Sequence, residues 1–335
     1  MKTNTPEYSK QKTEPELVRW LLDSDPAIRW QVKQDLLGAS QDEVAAERAR
    51  VASEGFGNQL LKKQQTDGYW EGEAWNQESN STYHVLTLLR ELGLDPTSGE
   101  AQRAIDKVHE QVKWRGWDWD GNWLGLEVMG NPFFAGEVEP CINGQVGAAG
   151  AYFGQDIERI IAWLLKGQLE DGGWNCEAEN GSIRSSFNST ICVLEGLLEY
   201  EKSSGDGAKV REARLRGEEY LLKRQLFHRF STGEVLERDR WGQTAFTRFG
   251  FPNWWHYDVL RGLDYLRKAG VTPDERMDKA IELVSSRRST EGYWLNEVNY
   301  PGDMPIEIDA GEGQPSKWNT LRALRVLNWY FEGRE

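Results

Sequence analysis

The stretch Glu170-Asp171-Gly172-Gly173-Trp174 decides the fold, because variants of it recur along most of the chain. The other copies are Thr66-Asp67-Gly68-Tyr69-Trp70, Trp119-Asp120-Gly121-Asn122-Trp123, Thr290-Glu291-Gly292-Tyr293-Trp294 and the degenerate Thr232-Gly233-Glu234-Val235-Leu236. They lie roughly 50 to 60 residues apart, each between two helix-like stretches, which is typical of one supersecondary unit repeated around a common core. The glycine supplies the positive backbone angle that ends the first helix and reverses the chain.

The repeat predicts an all-α fold. In the third unit we expect an amphipathic outer helix at residues 157–168 and a more buried inner helix at 186–200. The other inner helices are expected near residues 81–92, 141–153, 254–266 and 316–330. With a HEAT-like helix pair at residues 14–42 and five repeats at 43–335, the chain has six helix pairs. We expect them to close into an (α/α)6 toroid, a double ring of helices around a central cavity.

We expect a single domain over residues 1–335, with a disordered tail at 1–13, because no linker interrupts the repeat. Strand patterns are nearly absent, although an irregular hairpin stays open near Phe230. About half of the 16 tryptophans belong to the turns or fall at helical spacing, which favours a structural role for them.

Composition excludes several classes of partner. The formal net charge of -14 argues against nucleic acid or an anionic membrane surface, which need clustered cations. No apolar run approaches the length of a membrane helix, and the polar N-terminus does not resemble a signal peptide, so we expect a cytoplasmic protein without a transmembrane segment. Three cysteines do not make a disulfide framework, which indicates reduced thiols.

The segments Leu164-Leu165-Lys166-Gly167-Gln168-Leu169-Glu170-Asp171-Gly172-Gly173-Trp174 and Leu61-Lys62-Lys63-Gln64-Gln65-Thr66-Asp67-Gly68-Tyr69-Trp70 resemble the glutamine-tryptophan repeats of squalene and oxidosqualene cyclases. Those enzymes share an α/α toroid with the β subunits of protein prenyltransferases. As a repeat pattern the resemblance covers nearly the whole chain, and the chain looks most like short, single-toroid, bacterial squalene-cyclase-like proteins. It implies a terpenoid cyclase or prenyltransferase-like protein that binds an isoprenoid or other apolar small molecule in its cavity. A fold does not carry its chemistry along.

The cyclases of this superfamily protonate an alkene with an Asp-x-Asp-Asp motif, in which one carboxylic acid is kept protonated. The nearest string in this chain is Asp118-Trp119-Asp120-Gly121. Alignment of the repeats places Asp120 in the structural turn, at the position of Asp67 and Asp171. We therefore expect a structural role for this pair.

The prenyltransferase β subunits bind zinc through an Asp-x-Cys and a later His. The corresponding residues here are Glu139-Pro140-Cys141 and Asn188, and an asparagine is a poor zinc ligand. A rearranged zinc site from Cys141, Cys176 and His256 is one prediction, because each stands at or before an inner helix. The alternative is that the cysteines are small buried hydrophobes and the histidine is a hydrogen-bonded packing residue.

The first turns of the inner helices form the predicted ligand site. In a ring of parallel helices these positions face one mouth of the cavity, where unpaired amides and the positive ends of the helix dipoles also lie. The expected ligand-binding residues are Tyr83, His84, Asn143, Phe187, Asn188, Trp254, Trp255, Tyr257, Trp318 and Asn319. The alternative is that they are caps and core aromatics of ordinary helices.

Acidic loops connect the turns to the inner helices and could surround the same mouth. Their members are Glu73, Glu78, Glu137, Glu139, Glu177, Glu179, Glu307, Asp309 and Glu312. We take Glu139 and Glu177, with His256, as the candidate catalytic residues. The alternative is a solvated loop with ordinary surface charge.

Three functions remain open from the sequence. An enzyme or binder for an isoprenoid, with aromatic faces stabilising a carbocation, ranks first. A non-catalytic helical-repeat scaffold ranks second. A carbohydrate-processing lyase or hydrolase, which needs paired carboxylates beside a tryptophan platform, is the third.

Overall fold

The computed structural model describes residues 15–117, 123–204 and 207–334. Helices predominate in this part of the chain, so the prediction of a helical fold is confirmed. No helix in these residues is both long and apolar enough to cross a bilayer. The expected disordered tail at 1–13 and most of the second turn copy lie outside the described residues.

The helices and strands follow one another along the chain with these bounds. The α-helices are α1 (Pro15–Leu22), α2 (Pro26–Asp35), α3 (Gln41–Ala49), α4 (Gly55–Lys62), α5 (Thr82–Leu92), α6 (Gly99–Gln111), α7 (Pro140–Tyr152), α8 (Glu158–Lys166), α9 (Phe187–Ser204), α10 (Ala208–Lys223), α11 (Val259–Lys268), α12 (Asp278–Ser286) and α13 (Lys317–Glu332). The strands are β1 (Lys113–Trp117), β2 (Trp123–Pro132), β3 (Trp294–Leu295) and β4 (Pro315–Ser316). Single 3₁₀ turns lie at Arg50–Ala52, Phe133–Ala135, Cys176–Ala178 and Glu275–Met277.

The buried helices contact one another in succession. Helix α5 packs against α7, α7 against α9, α9 against α11, α11 against α13, and α13 against α2. Helix α2 reaches α5 through the Trp30 indole, which donates to the Leu92 carbonyl over 2.9 Å, and through the Gln31 amide, which donates to the Glu91 carbonyl over 3.3 Å. The second helix of each predicted repeat is therefore a neighbour of the next one.

Each intact turn holds a buried tryptophan in the same way. Trp70, Trp174 and Trp294 are at most 1% exposed. Their indole N–H groups donate to the carbonyls of Leu60, Leu164 and Val284 over 2.8, 2.7 and 2.7 Å, and their backbone N–H groups donate to the hydroxyls of Thr82, Thr190 and Thr320 over 3.3, 3.1 and 3.0 Å. Each tryptophan therefore ties the end of α4, α8 or α12 to the start of α5, α9 or α13, with its indole N–H and its backbone N–H both satisfied.

The glutamine of the turn links neighbouring outer helices. The side-chain amide of Gln168 donates to the carbonyls of Gly172 and Ala213, each over 2.7 Å, and so couples the end of α8 to α10. Gln64 makes the equivalent bonds to Gly68 and Ala104, over 3.1 and 2.9 Å, and couples α4 to α6. The turn thus joins units as well as helices within a unit.

The prediction of almost no strands is wrong at residues 113–132. Strands β1 and β2 pair antiparallel there, with Lys113 opposite Pro132 and Trp117 opposite Trp123. Strands instead of helices therefore occupy the described residues around the second turn copy, and its Trp123 is the first residue of β2. Exposed Lys113 and Arg115 alternate with buried Trp114, the period of a half-buried strand, and the Trp114 indole donates to the Phe133 carbonyl over 2.9 Å. The hairpin left open near Phe230 is confirmed by the antiparallel bridge between His228 and Val235.

We predict that Gly172→Ala lowers the free energy of unfolding by about 2 to 4 kcal/mol, because a Cβ there meets the Arg216 carbonyl oxygen at 2.6 Å and φ is +98°. Gly181→Ala is the matched control, since its φ is +89° but a Cβ there meets nothing within 4 Å. It should cost only the backbone strain, about 1 to 2 kcal/mol. Urea unfolding of the two variants measures the difference, and equal losses would contradict the role given to the turn.

Candidate functional site

A cavity of about 370 Å³ lies between α2, α5, α7, α9, α11 and α13, and all six helices contribute to its lining. Most of the lining residues come from the C-terminal halves of these helices. The lining contains eight Arg or Lys side chains and five Asp or Glu side chains. Charged side chains therefore make up about half of this lining, which we call the ionic wall, in contrast to the aromatic site expected from the sequence.

Glu195 on α9 is the centre of one ionic network in this wall. It accepts hydrogen bonds from Nε and Nη2 of Arg261, each over 2.8 Å, from the Gln145 amide over 2.6 Å and from Arg90 Nη2 over 3.4 Å. Burial alone would raise the pKa of Glu195, but Arg261 and Arg90 outweigh it and hold the pKa below its usual range. The carboxylate is therefore ionised and satisfied.

Asp264 on α11 is the centre of a second network. Its carboxylate accepts two hydrogen bonds from Arg325 and one from Arg267, and Arg325 also donates to Gln31 over 2.8 Å. Burial opposes ionisation of Asp264, yet Arg325 and the neighbouring cations hold its pKa well below the usual range. Bidentate pairing of this kind makes a buried charge tolerable.

Tyr83, His84 and Trp254 come together beside the cavity. The His84 ring is 5.0 Å from the Trp254 ring, edge to face, and its Nδ1 lies 2.9 Å from the Ser81 hydroxyl. Trp254 lines the cavity, whereas the buried Tyr83 hydroxyl has no hydrogen-bond partner in the described part of the chain. Burial lowers the pKa of His84 to about 3, so its imidazole is neutral.

Helix α11 begins later than predicted. Residues 254–257 were expected in its first turn, but the helix starts at Val259, and the side chain of Asp258 caps it by accepting from the Arg261 N–H. The preceding segment is irregular, with a cis bond between Phe251 and Pro252 and a φ of +51° at Trp254. A cap one residue before Val259 and this backbone together explain the shift.

His256 does not join the cysteines. Its ring lies between Trp255 and Tyr300, with centroids 3.7 and 3.6 Å away, and its Nδ1 is 2.8 Å from the Thr244 hydroxyl. Burial, with a smaller contribution from Arg261, lowers its pKa to about 3. These contacts are those of the packing residue that the sequence left as the alternative.

The remaining predicted ligand-binding residues bond within the chain. Three of them are asparagines: Asn143 bonds the backbone of Glu137, Asn188 accepts from the Tyr257 N–H, and Asn319 donates to the carbonyls of Phe249 and Leu295. The Tyr257 hydroxyl donates to the Leu226 carbonyl, and the Trp318 indole donates to the Ile308 carbonyl. Phe187 packs on Tyr220, Phe246 and Tyr257. The asparagines hold loops against the starts of the inner helices.

Glu139, Cys141 and Cys176 form a compact cluster at the start of α7. The two Sγ atoms lie 2.8 Å apart, Cys141 Sγ is 3.6 Å from Glu139 Oε2, and the candidate ligand atoms of the three residues all lie within 4.8 Å of one another. The hydrogen bond with Cys176 and then burial raise the pKa of the Cys141 thiol. Two thiols and a carboxylate are a donor set that suits zinc. In the described residues, Glu139 thus stands where His256 was expected.

The other predicted acid, Glu177, forms an ion pair of 3.5 Å with Arg240, and both are partly or wholly exposed. Glu137, two residues before Glu139, is the more unusual carboxyl. Burial and then the charge of Glu139 raise its pKa to about 8. The sequence placed it among the loop acids without singling it out.

Sequence reasoning missed the ionic wall of the cavity. Its most buried members are charged residues three apart on largely buried helices, Arg261 and Asp264 on α11 and Arg322 and Arg325 on α13. A charge in a helix that is otherwise buried is rare unless it is paired. That spacing was the available signal.

Neither a protein-family model nor a curated protein matches the sequence. Among solved structures, the chain is similar to a protein from Actinoplanes, with 15% identity, a TM-score of 0.43, and coverage of 92% of this chain and 90% of that one. It is also similar to the type II terpene cyclase MstE from Scytonema, with 14% identity, a TM-score of 0.41, and coverage of 91% and 87%. For a variant of that cyclase in complex with geranylgeranyl dihydroxybenzoate, the identity is 15%, the TM-score is 0.43, and the match covers 91% of this chain and 87% of that one.

We predict that His84 makes the protein less stable as the pH falls. Because burial lowers its folded pKa to about 3, the folded imidazole stays neutral at pH 5, whereas the unfolded one takes up a proton below about 6.5. Between pH 7.5 and 5 this costs on the order of 2 kcal/mol of the free energy of unfolding. His84→Asn, which keeps a polar partner for Ser81, should lose less stability over that interval than the parent. Equal losses in urea unfolding at the two pH values would contradict the assignment.

Proposed function

We propose that the chain is an (α/α)6 toroid that binds a polar, ionisable small molecule in the cavity between its inner helices. The observation that carries the proposal is the ionic wall of that cavity. The volume of about 370 Å³ lies in the range of small-molecule pockets, roughly 300 to 1,000 Å³. The toroid itself is supported by the succession of contacts from α5 to α13 and by the contact of α13 with α2.

The lining bears on the choice between an apolar and a polar ligand. An isoprenoid hydrocarbon would remove water from Arg90, Arg322 and their neighbours without replacing its hydrogen bonds, which is costly for charged groups. A ligand with ionised or hydroxyl groups replaces those bonds. An isoprenoid fits this wall only where it carries a polar head group.

The ionised carboxylates favour binding over acid catalysis. Burial opposes ionisation of Glu91, but Lys268 and Arg90 outweigh it and hold its pKa at about 2, and Glu195 and Asp264 are also held low by their partners. None of these three carboxyls keeps a proton near neutral pH. A glycoside hydrolase needs one protonated carboxyl as general acid, and none of these three residues supplies one.

We predict that compact polar anions bind the cavity and that farnesol does not. Calorimetric titration with citrate, pyrophosphate and farnesol at low salt is the measurement, and at least one of the two anions should bind with a Kd below about 1 mM. Gln34→Trp, at the exposed end of the lining, should weaken that binding several-fold by narrowing the cavity.

Gln41→Trp is the matched control, because Gln41 is exposed at the start of α3 and is not part of the lining. It should leave the Kd unchanged. Binding of farnesol alone would contradict the polar-ligand proposal. Anion binding that Gln34→Trp does not weaken would place the site outside the cavity.

As a second, separate proposal, Glu139, Cys141 and Cys176 bind one zinc ion. The support is their mutual distances of at most 4.8 Å and their donor types. Three protein ligands leave a fourth position open, which is typical of a catalytic zinc rather than a structural one. A bound zinc would supply Lewis acidity at this end of α7, and the thiols must lose their protons to bind it.

We predict one zinc per chain after dialysis against a zinc buffer, measured by inductively coupled plasma mass spectrometry. Cys176→Ser should lose most of the metal, because it removes one of the two thiolates. Cys192→Ser is the control, since Cys192 is fully buried on α9 and lies outside the cluster in the described residues. A metal-free parent protein, or full occupancy in Cys176→Ser, would exclude this ligand set.

A further inference from the structure

Arg322 on α13 is a buried cation with few hydrogen-bond partners. It is 5% exposed and lies on the wall of the cavity. Its Nη1 donates to the Gly250 carbonyl over 3.2 Å, and its Nε and Nη2 bond no atom of the described residues. No ion pair joins it to a carboxylate within 4.0 Å in that part of the chain. A buried charge left in this state costs stability, so its retention needs a reason.

The other buried arginines on α11 and α13 show the contrast. Arg325 uses Nε, Nη1 and Nη2 on Asp264, Gln31 and Asp35. Arg261 uses the same three nitrogens on Glu195 and on the carbonyls of Trp254 and His256. Both are therefore structural cations. Arg322 differs from them in lacking a carboxylate partner: it has one hydrogen bond, to the Gly250 carbonyl, and its guanidinium carbon lies 5.9 Å from the centre of the Phe251 ring.

Arg90 on α5 presents a second partly free guanidinium to the same cavity. Its Nη2 makes all three of its bonds, to Glu91, Gln145 and Glu195, while Nε and Nη1 have no partner in the described residues. It is 8% exposed and its pKa is raised, because Glu91 and Glu195 outweigh its burial. Unused N–H groups on two buried arginines thus open onto one space.

The charge of the wall has the sign that an anion requires. The lining holds eight cationic and five anionic side chains, in a chain whose formal net charge is -14. The charge of Arg322 opposes the burial that raises the pKa values of Asp258 and Asp309. Both carboxyls are hydrogen-bonded to other groups: Asp258 to Asn253 and the Arg261 N–H, and Asp309 to Ser316. The surplus of three positive charges is therefore not neutralised within the lining.

We propose that Arg322, assisted by the free side of Arg90, binds a carboxylate or phosphate group of the cavity ligand. The planar guanidinium matches either oxyanion through two parallel N–H bonds. This inference rests on the proposed function, since it names the group by which the cavity holds its ligand. It also explains why an unpaired cation persists in a buried wall.

Calorimetric titration of the full chain with pyrophosphate and with citrate, in low-chloride buffer, tests the proposal. The parent should bind at least one of them, and the tighter one tells phosphate from carboxylate. Arg322→Gln should weaken that binding about tenfold or more, because it removes a charge-assisted bond. Arg322→Lys keeps the charge but not the two parallel N–H groups of the guanidinium, so its Kd should lie between those of the parent and of Arg322→Gln. Lys166→Gln removes an exposed charge remote from the lining and should change the Kd less than twofold.

Stability without ligand is the second readout. Arg322→Gln should unfold at the same urea concentration as the parent or a higher one, because an uncompensated buried charge is gone. A lower urea midpoint together with unchanged anion binding would make Arg322 a structural residue and overturn the proposal. So would a parent that binds neither probe.

The narrowed Gln34→Trp variant separates the two levels of inference. If it weakens anion binding while Arg322→Gln does not, the cavity is the binding site and the assignment of Arg322 is wrong. If neither variant weakens binding, the anion binds elsewhere and the proposed function falls with it.

Discussion

The indole N–H of a buried tryptophan, bonded to a carbonyl ten residues earlier, is the interaction on which the rest of the structure depends. In three of the turns it caps the end of an outer helix, while the backbone N–H of the same residue reaches the threonine of the next inner helix. A phenyl ring would leave part of the indole's space empty and the carbonyl of Leu164 unpaired in a buried site. Gly172, two residues before Trp174, brings the turn against the Arg216 carbonyl of α10, where no side chain fits.

The turns satisfy the backbone hydrogen bonds at the helix ends, and helices α7 and α9 pack closely. A Cβ on Gly144 or Gly196 would overlap the facing backbone of the other helix, so α7 and α9 approach as only glycine allows. The halves of the helices nearer their starts are closed by aromatic rings and asparagine amides. Most charges of the cavity wall lie from the middle of these helices toward their ends, although Arg261 and Arg322 lie in the N-terminal halves of α11 and α13. Each carboxylate among Glu195 and Asp264 has its own arginine, which is what makes ionic groups tolerable at this depth.

The sequence predicted those parts of the fold that depend on local patterns. The turns, the glutamine and the inner helices follow from residues within one unit, and their register was visible in the repeat. The ionic wall was not, because its partners are distant in the chain: Arg261 and Glu195 are 66 residues apart, and Arg325 and Gln31 are 294 apart. The late start of α11 and the pairing of β1 with β2 were also not visible in the repeat, since each interrupts it. Cys141 and Cys176 did meet as their positions suggested, but with Glu139 beside them and without His256.

The side of the helices on which the cavity lies decides how an anion can be held. The starts of helices attract anions through free N–H groups and a positive dipole end, which is why the sequence predicted a ligand site at the first turns of these helices. The lining instead comes mainly from the C-terminal halves, where the dipole ends are negative and cations are stabilised. Arg90 and Arg267 lie in such last turns, whereas Arg261 and Arg322 lie in the N-terminal halves of α11 and α13. The proposed anion binding therefore relies on side chains, and among the described residues Arg322 and Arg90 are the buried arginines of this wall with several N–H groups that have no partner.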